Sequence, residues 1–353
     1  MTELIQRLHA VILAVRQEYA PDPRLSVYEV MPIEDGGAVR VVGATSEPAA
    51  LEALRARIAH VHGADSVRDE VVRYPEEAVD GAGMHAIVSS AVVPLLAGPF
   101  VAEPHVSQAV LGHHLTILRQ RGRWLNVKAE DGYLGWLHRG YVHRVDEVAA
   151  RAWTVGGADG EVCLSLGAEL VDESGVVVGR LPWGSRFHGE GEQGVLPDGT
   201  RGRVVGDFVP AARRRERFPT EREAVVETTT RWLGVPYIWS GITLGGADCS
   251  GFVQAVYRMH GVELPRDSDQ QSVVGEPVDP GTDFSGLLPG DLVFFAEDPG
   301  RVSHVTMSLG GSKVVHSSLG NGGVRRNDLL GKTPLEEELR RLFYCARRVI
   351  PAG

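Results

Sequence analysis

From Ala86 onward the sequence breaks into short apolar runs separated by Gly and Pro, with little helical period. The stretches "AIVSSAVVPLL", "LTILRQRGRWLNVKA" and "GYLGWLHRGYVHRV" suit short strands and are too interrupted for helices, which points this part of the chain to a small β-barrel. A weaker copy of the same texture runs from "AWTVGGADGEVCLSLGAELV" through "RLPWGSRFHGE" to "GRVVGDFVP". Trp124, Tyr133, Trp136 and Tyr141 read as core or turn residues of the first copy.

The segments on either side keep other periods. Leu4, Ile5, Leu8, Val11, Ile12 and Val15 recur at helical spacing until Pro21 and Pro23 stop the run. "LSVYEVMPI" and "AVRVVGAT" then read as strands around an Asp35-Gly36-Gly37 turn. The helix "EPAALEALRARIAHVHG" and the strand "SVRDEVVRYP" follow. This unit holds no tight cluster of catalytic residue types, so a packing or spacer role is expected of it. Behind the barrels, "PTEREAVVETTTRWLG" reads as a helix capped by Thr220, with Glu223 at the reciprocal position and Gly234 and Pro236 ending it. At 353 residues the chain exceeds one ordinary core. The division expected is an N-terminal α+β unit (1–83), two small barrels (84–148 and 149–212) and a C-terminal module (213–353), a multidomain α+β fold.

A net charge of −10 argues against a protein that coats nucleic-acid phosphates, and the one basic cluster, Arg213 to Arg217, reads as a solvated linker between two texture regions. No window approaches the roughly 18 apolar residues of a membrane span. Glu3, Arg7 and His9 interrupt the N-terminus where a secretion signal would be apolar, so a cytoplasmic location is expected. Three scattered cysteines, Cys163, Cys249 and Cys345, form neither a disulfide framework nor a zinc knuckle. No metal or other cofactor is called for.

Cys249 stands between "GGAD" and "SGFVQAVYRMHG", a segment of helical period, which puts its thiol at a helix start. Unpaired backbone N–H groups there favour an anion, so a lowered thiol pKa is expected; a small buried core residue fits the position equally well. His304 lies on an alternating run whose other face is apolar, and His316 follows on the next strand of a hairpin. That order suits a thiol nucleophile, a base and an orienting group, although each histidine taken singly is a core residue as readily. Cys163 and Cys345 lack this setting and are expected to be inert.

"GVPYIWSG", "DCSGFVQAVY", "LPRDSDQQ", "LLPGDLVFF", "SHVTMSLG" and "VVHSS" occur in this order between Phe218 and Ile350. In them the module resembles the NlpC/P60 cysteine peptidases, papain-like enzymes of the bacterial cell wall. "GRWLNVKAEDGYLGWLHRGYV" is likewise similar to the end of a bacterial SH3-like domain. The resemblance implies Cys249 as nucleophile, His304 as general base, His316 as orienting residue and Tyr237 beside the thiol. Ser240 departs from it, standing where the family usually has glycine. Two SH3-like domains before such a module resemble the murein-recycling γ-D-glutamyl-L-diamino acid endopeptidases, whose first SH3-like domain closes one end of the cleft. A substrate such as L-Ala-γ-D-Glu-diamino acid with a free amine is then implied, with Asp248, Ser250, Ser268, Tyr133 and Glu103 as candidates for the amine pocket. Asp248 reads equally as a helix N-cap. The rival readings are a wall-peptide binding protein without catalysis and an amidase or acyltransferase on another acyl donor. The diamino acid and the oligomeric state are left open.

Overall fold

The expected N-terminal period becomes the helix Thr2–Tyr19, which buries Leu8, Ile12 and Val15 against Leu51, Leu54 and Ile58 of the helix Pro48–Ile58. Beneath them lie three strands, Tyr28–Asp35, Ala38–Thr45 and Val67–Arg73. The first pair is antiparallel and joined by a tight turn; the second is parallel because the helix crosses between its strands. The computed structural model describes residues 2–36, 38–61, 66–76, 83–157, 160–298 and 300–351. Gly37 of the expected turn, the end of the second expected helix (62–63) with the two residues after it, and most of the join to the first barrel (77–82) lie outside the described residues.

The first barrel is a seven-stranded sheet running from His85–Val88 to Val142–Val145, with Val93, Leu95, Leu115, Ile117, Leu125 and Leu137 in its core. The second has five strands. Its long strand Glu161–Val171 pairs with Val177–Leu181, Arg186–Glu190 and Arg201–Pro210, and the last pairing closes the sheet on itself. The strand texture read from Ala152 begins later than expected, because Ala152–Val155 belong to the helix Glu147–Val155. Asp146 caps that helix by accepting from the Ala149 N–H at 2.8 Å, and Gly156, at φ 91°, ends it. Its Trp153 stacks on His188 of the second barrel and donates to the Gly112 carbonyl of the first at 2.9 Å, which pins the two barrels together.

The C-terminal module sets the helix Cys249–Met259 against a six-stranded sheet. In hydrogen-bonded order its strands are Glu276–Val278, Phe343–Arg348, Leu292–Asp298, Arg301–Gly310, Lys313–Ser318 and Gly323–Asp328. The helix before it starts later than the capping pattern implied. It covers Arg222–Thr228 after Glu221, while the Thr220 hydroxyl donates instead to the His260 carbonyl at 3.0 Å. A side chain engaged in a distant contact cannot cap its own helix. Trp183 of the second barrel enters the module's core, edge-on to Trp232 and Phe218, and its indole N–H reaches the Ala255 carbonyl.

Candidate active site

Cys249 is the first residue of its helix. Asp248 caps that helix, with Oδ1 accepting from the Gly251 N–H at 2.7 Å. Gly251 is required by the packing, since a Cβ there would collide with the Gly241 carbonyl oxygen. Arg266, 1% exposed, grips both oxygens of Asp248 at 3.1 and 2.7 Å and also donates to the Ser250 and Ser107 hydroxyls. Burial and then the Asp248 carboxylate push the Cys249 thiol up to about 12, against the smaller opposing pull of the Val305 and Ser250 backbone amides. The lowered pKa expected at a helix start is therefore overturned: desolvation of a buried sulfur beside an anion outweighs the helix terminus. Burial raises Cys163, also to about 12, and Cys345, so the thiol pKa does not distinguish the three; the place of Cys249 at a helix start does.

The strand Arg301–Gly310 carries His304. It departs from strict alternation, because a bulge leaves Ser303 unpaired between His304, opposite Phe295, and Val302, opposite Ala296. Val302 and Val305 then share one core. His304 Nε2 lies 2.7 Å from His316 Nδ1, and His316 Nε2 lies 3.0 Å from Asn327 Oδ1. The partners assign the tautomers. Asn321 Nδ2 donates to Asn327 Oδ1 at 2.8 Å and also lies 3.2 Å from His316 Nε2. An amide N–H can only donate, so Asn327 presents its acceptor oxygen to both Asn321 and His316. His316 Nε2 therefore carries hydrogen, its Nδ1 accepts from His304 Nε2–H, and His304 Nδ1 keeps a free lone pair. Burial, reinforced by His316, holds His304 well below its ordinary pKa, and burial holds His316 at about 4 against the opposing pull of Asn327. At neutral pH both rings are uncharged.

Cys249 opens onto a cleft of about 620 Å³. Tyr237, Asp248, Ser250, Asp267 and Ser268 line it from the C-terminal module, Pro104, His105 and Tyr133 from the first barrel, and Arg24 from the N-terminal unit. The Tyr133 hydroxyl donates to Asp267 Oδ2 at 2.9 Å, and Arg24 Nη1 reaches the same oxygen at 2.8 Å. Burial raises the pKa of the Asp267 carboxyl, and the bonds from Tyr133 and Arg24 oppose it. Burial also raises Tyr237, with Cys249 and Asp248 adding to the effect. On the rim, Trp239 is 69% exposed and its indole N–H donates to the His105 carbonyl. Among the described residues no cluster of three or more His, Cys, Asp or Glu has the makings of a metal site.

Residues 234–340 match the NlpC/P60 family, and residues 95–140 match the bacterial dipeptidyl-peptidase SH3 domain. A gamma-D-glutamyl-L-lysine dipeptidyl-peptidase of Bacillus cereus is 30% identical over 260 residues, which span 69% of this chain and 75% of that one. The chain belongs to the NlpC/P60 family. A Bacillus subtilis protein of the same name is 27% identical over 60% of this chain and 71% of its own. The crystal structure of an NlpC/P60 family protein from Bacillus cereus superposes with a TM-score of 0.63 at 23% identity, covering 76% of this chain and all of that one, and so shares the fold.

Among the residues singled out in the sequence of this NlpC/P60 protein, Tyr237, Cys249, Asp248, Ser250, Ser268 and Tyr133 come together on the cleft, and His304 and His316 form one hydrogen-bonded pair. Glu103 does not line the cleft, although its neighbours Pro104 and His105 do. The acidic group that meets Tyr133 is Asp267. Asp248 serves as the N-cap, with both oxygens already engaged by Arg266 and Gly251. Asn327 went unread, although the hairpin carried the signal. Pairing His316 with Arg325 across the Asn321-Gly322-Gly323 turn puts Asn327 diagonally beside His316 on the same face. Asp267 and Arg24 had no local signal.

Proposed function

We propose that this protein is a cysteine endopeptidase that hydrolyses the γ-D-glutamyl to diamino-acid bond of peptidoglycan stem peptides carrying a free N-terminal L-Ala, a reaction of murein recycling in the cytoplasm. The observation that carries the reading is the meeting of Tyr133 and Asp267 on the wall of the cleft that holds Cys249. A carboxylate and a phenol oxygen replace the hydration of an ammonium there, which an acylated nitrogen cannot use. The names of the two Bacillus relatives support the bond class.

The resting site holds a neutral thiol and neutral imidazoles, so proton transfer accompanies attack. His304 Nδ1 takes the Cys249 proton as the sulfur bonds to the glutamyl γ-carbonyl carbon, and the Cys249 backbone N–H at the helix start is the donor for the developing oxyanion. Nδ1–H then protonates the departing α-amine of the diamino acid as its C–N bond breaks, leaving a thioester. Water, losing its proton to His304, adds to that thioester, releasing L-Ala-γ-D-Glu and the thiol. His316 and Asn327 keep the basic nitrogen of His304 on the side away from His316 throughout.

The test is mass spectrometry of products from L-Ala-γ-D-Glu-meso-diaminopimelate, from its L-lysine counterpart, and from each peptide N-acetylated. Cleavage of the free peptides alone, abolished in Cys249→Ala, is expected. Equal cleavage of free and acetylated peptides removes the amine requirement, and cleavage of neither favours a binding protein or an enzyme for another acyl donor.

A further inference from the structure

Arg24 belongs to the N-terminal unit, yet it sits on the cleft with Cys249. Its guanidinium is spread over three carboxylates. Nε and Nη2 donate to Asp22 at 2.9 and 2.8 Å, Nη1 donates to Asp267 and Asp269 at 2.8 Å each, and Nη2 donates to Asp269 at 2.7 Å. The contact is reciprocal, since Gln270 Nε2 donates to Asp22 at 2.8 Å. The Arg24 carbonyl accepts from the Leu134 N–H at 2.7 Å, one residue beyond Tyr133. The loop at Asp22 and Arg24 is thus tied to the barrel by its backbone and to the helix Ser268–Gln271 by its side chains.

Behind this point lies a second cavity of about 570 Å³, with Tyr28, Glu29 and Trp136 among its walls. Arg24, Val106 and Tyr133 line both cavities, so they form the partition between them. Arg24 is the one charged member of that partition. Two of these carboxylates, Asp267 and Asp269, line the cleft beside the guanidinium and can share their oxygens with an incoming ammonium. An acylated N-terminus brings no compensating charge, an extended one carries its ammonium past the wall, and both need the room beyond it.

We infer that Arg24 is the residue through which the N-terminal unit sets substrate specificity: it closes the cleft just past the free amine and shuts it off from the second cavity. The inference rests on the amine-gated reading above. A blocked peptide would have to displace a guanidinium ion-paired to three carboxylates, whereas a free amine shares the carboxylates already in place.

The experiment compares kcat and KM of the full-length wild type, Arg24→Ala, Arg24→Lys and Asp269→Asn on the free and N-acetylated tripeptides, with a thermal melt of each protein. In Arg24→Ala the ratio of kcat/KM for acetylated over free peptide is expected to rise by roughly tenfold or more, with KM for the free peptide rising and kcat holding within about twofold. Arg24→Lys keeps the charge without the fork and should fall between, and Asp269→Asn should shift the ratio in the same direction by less. An unchanged ratio, or equal losses on both peptides, overturns the inference. Should Arg24→Ala fail to fold, Asp269→Asn decides by the same ratio. A wild type that cleaves both peptides equally sinks the amine-gated reading and this inference together, whereas a discriminating wild type with a ratio unmoved in the variants sinks the inference alone.

Discussion

The second barrel meets the catalytic module through Trp183, which is 3% exposed and lies among Phe218, Trp232 and Phe252 in one continuous core with Leu164 and Val209. The first barrel meets the same module through Ser107, Gln108, Asp131 and Tyr133, each by a hydrogen bond. Similar sheets are thus joined to one module in two ways. An apolar join excludes water and contributes to folding through buried area. A polar join leaves donors and acceptors lining a cleft, where a substrate can engage them. The second barrel is accordingly read as part of the catalytic module's core, and the first as part of its recognition surface.

Trp183→Ala is the most severe way to break that comparison. Removing the ring should cost about 3–5 kcal/mol of stability in urea denaturation, with KM unchanged at a temperature where the variant stays folded. A loss under about 1 kcal/mol would show that the second barrel is merely tethered. Acid tests the first barrel. Burial holds His113 at about 4, below its unfolded value near 6.5, so the unfolded chain binds the extra proton between those limits. Stability contributed by the neutral ring is full above about pH 6.5 and is lost as pH falls through about 4, on the order of 3 kcal/mol. His113→Gln should remove that part of the acid dependence in melts between these values, while the slope from His316 remains.

Tyr133→Phe probes recognition. KM for the free peptide should rise roughly tenfold, equivalent to about 1.4 kcal/mol, with the melting temperature almost unmoved. A large drop in stability with KM constant would make Tyr133 a structural residue and erase the contrast between the barrels. Ser240 belongs to neither barrel and gives the smallest effect. It sits at φ 63°, in the left-handed region that favours glycine, is 1% exposed, and its hydroxyl has no hydrogen-bond partner among the described residues. Ser240→Gly should stabilise by about 0.5–1 kcal/mol in the same denaturation assay.

What was legible lay in local pattern. The apolar period after Cys249 placed it at a helix start, the alternation around His304 and His316 placed both on strands, and the Gly- and Trp-bearing turns marked a barrel. What was misread depended on competition between local and distant partners. Thr220 had the spacing of a cap but found the His260 carbonyl, and Cys249 had the position of a thiolate but was buried beside Asp248. Asp267 and Arg24 stand 243 positions apart in the chain, and no period or motif links them.

The sequence by itself determined the family, the element types and the order of thiol and imidazoles, because these rest on spacing within a few turns or strands. Only the tertiary structure decided which nitrogen of His304 meets His316, which carboxylate meets Tyr133, and that the N-terminal unit reaches the cleft. Hydrogen-bond direction and charge pairing depend on which groups share a few ångströms, and folding alone brings together residues that the chain keeps far apart.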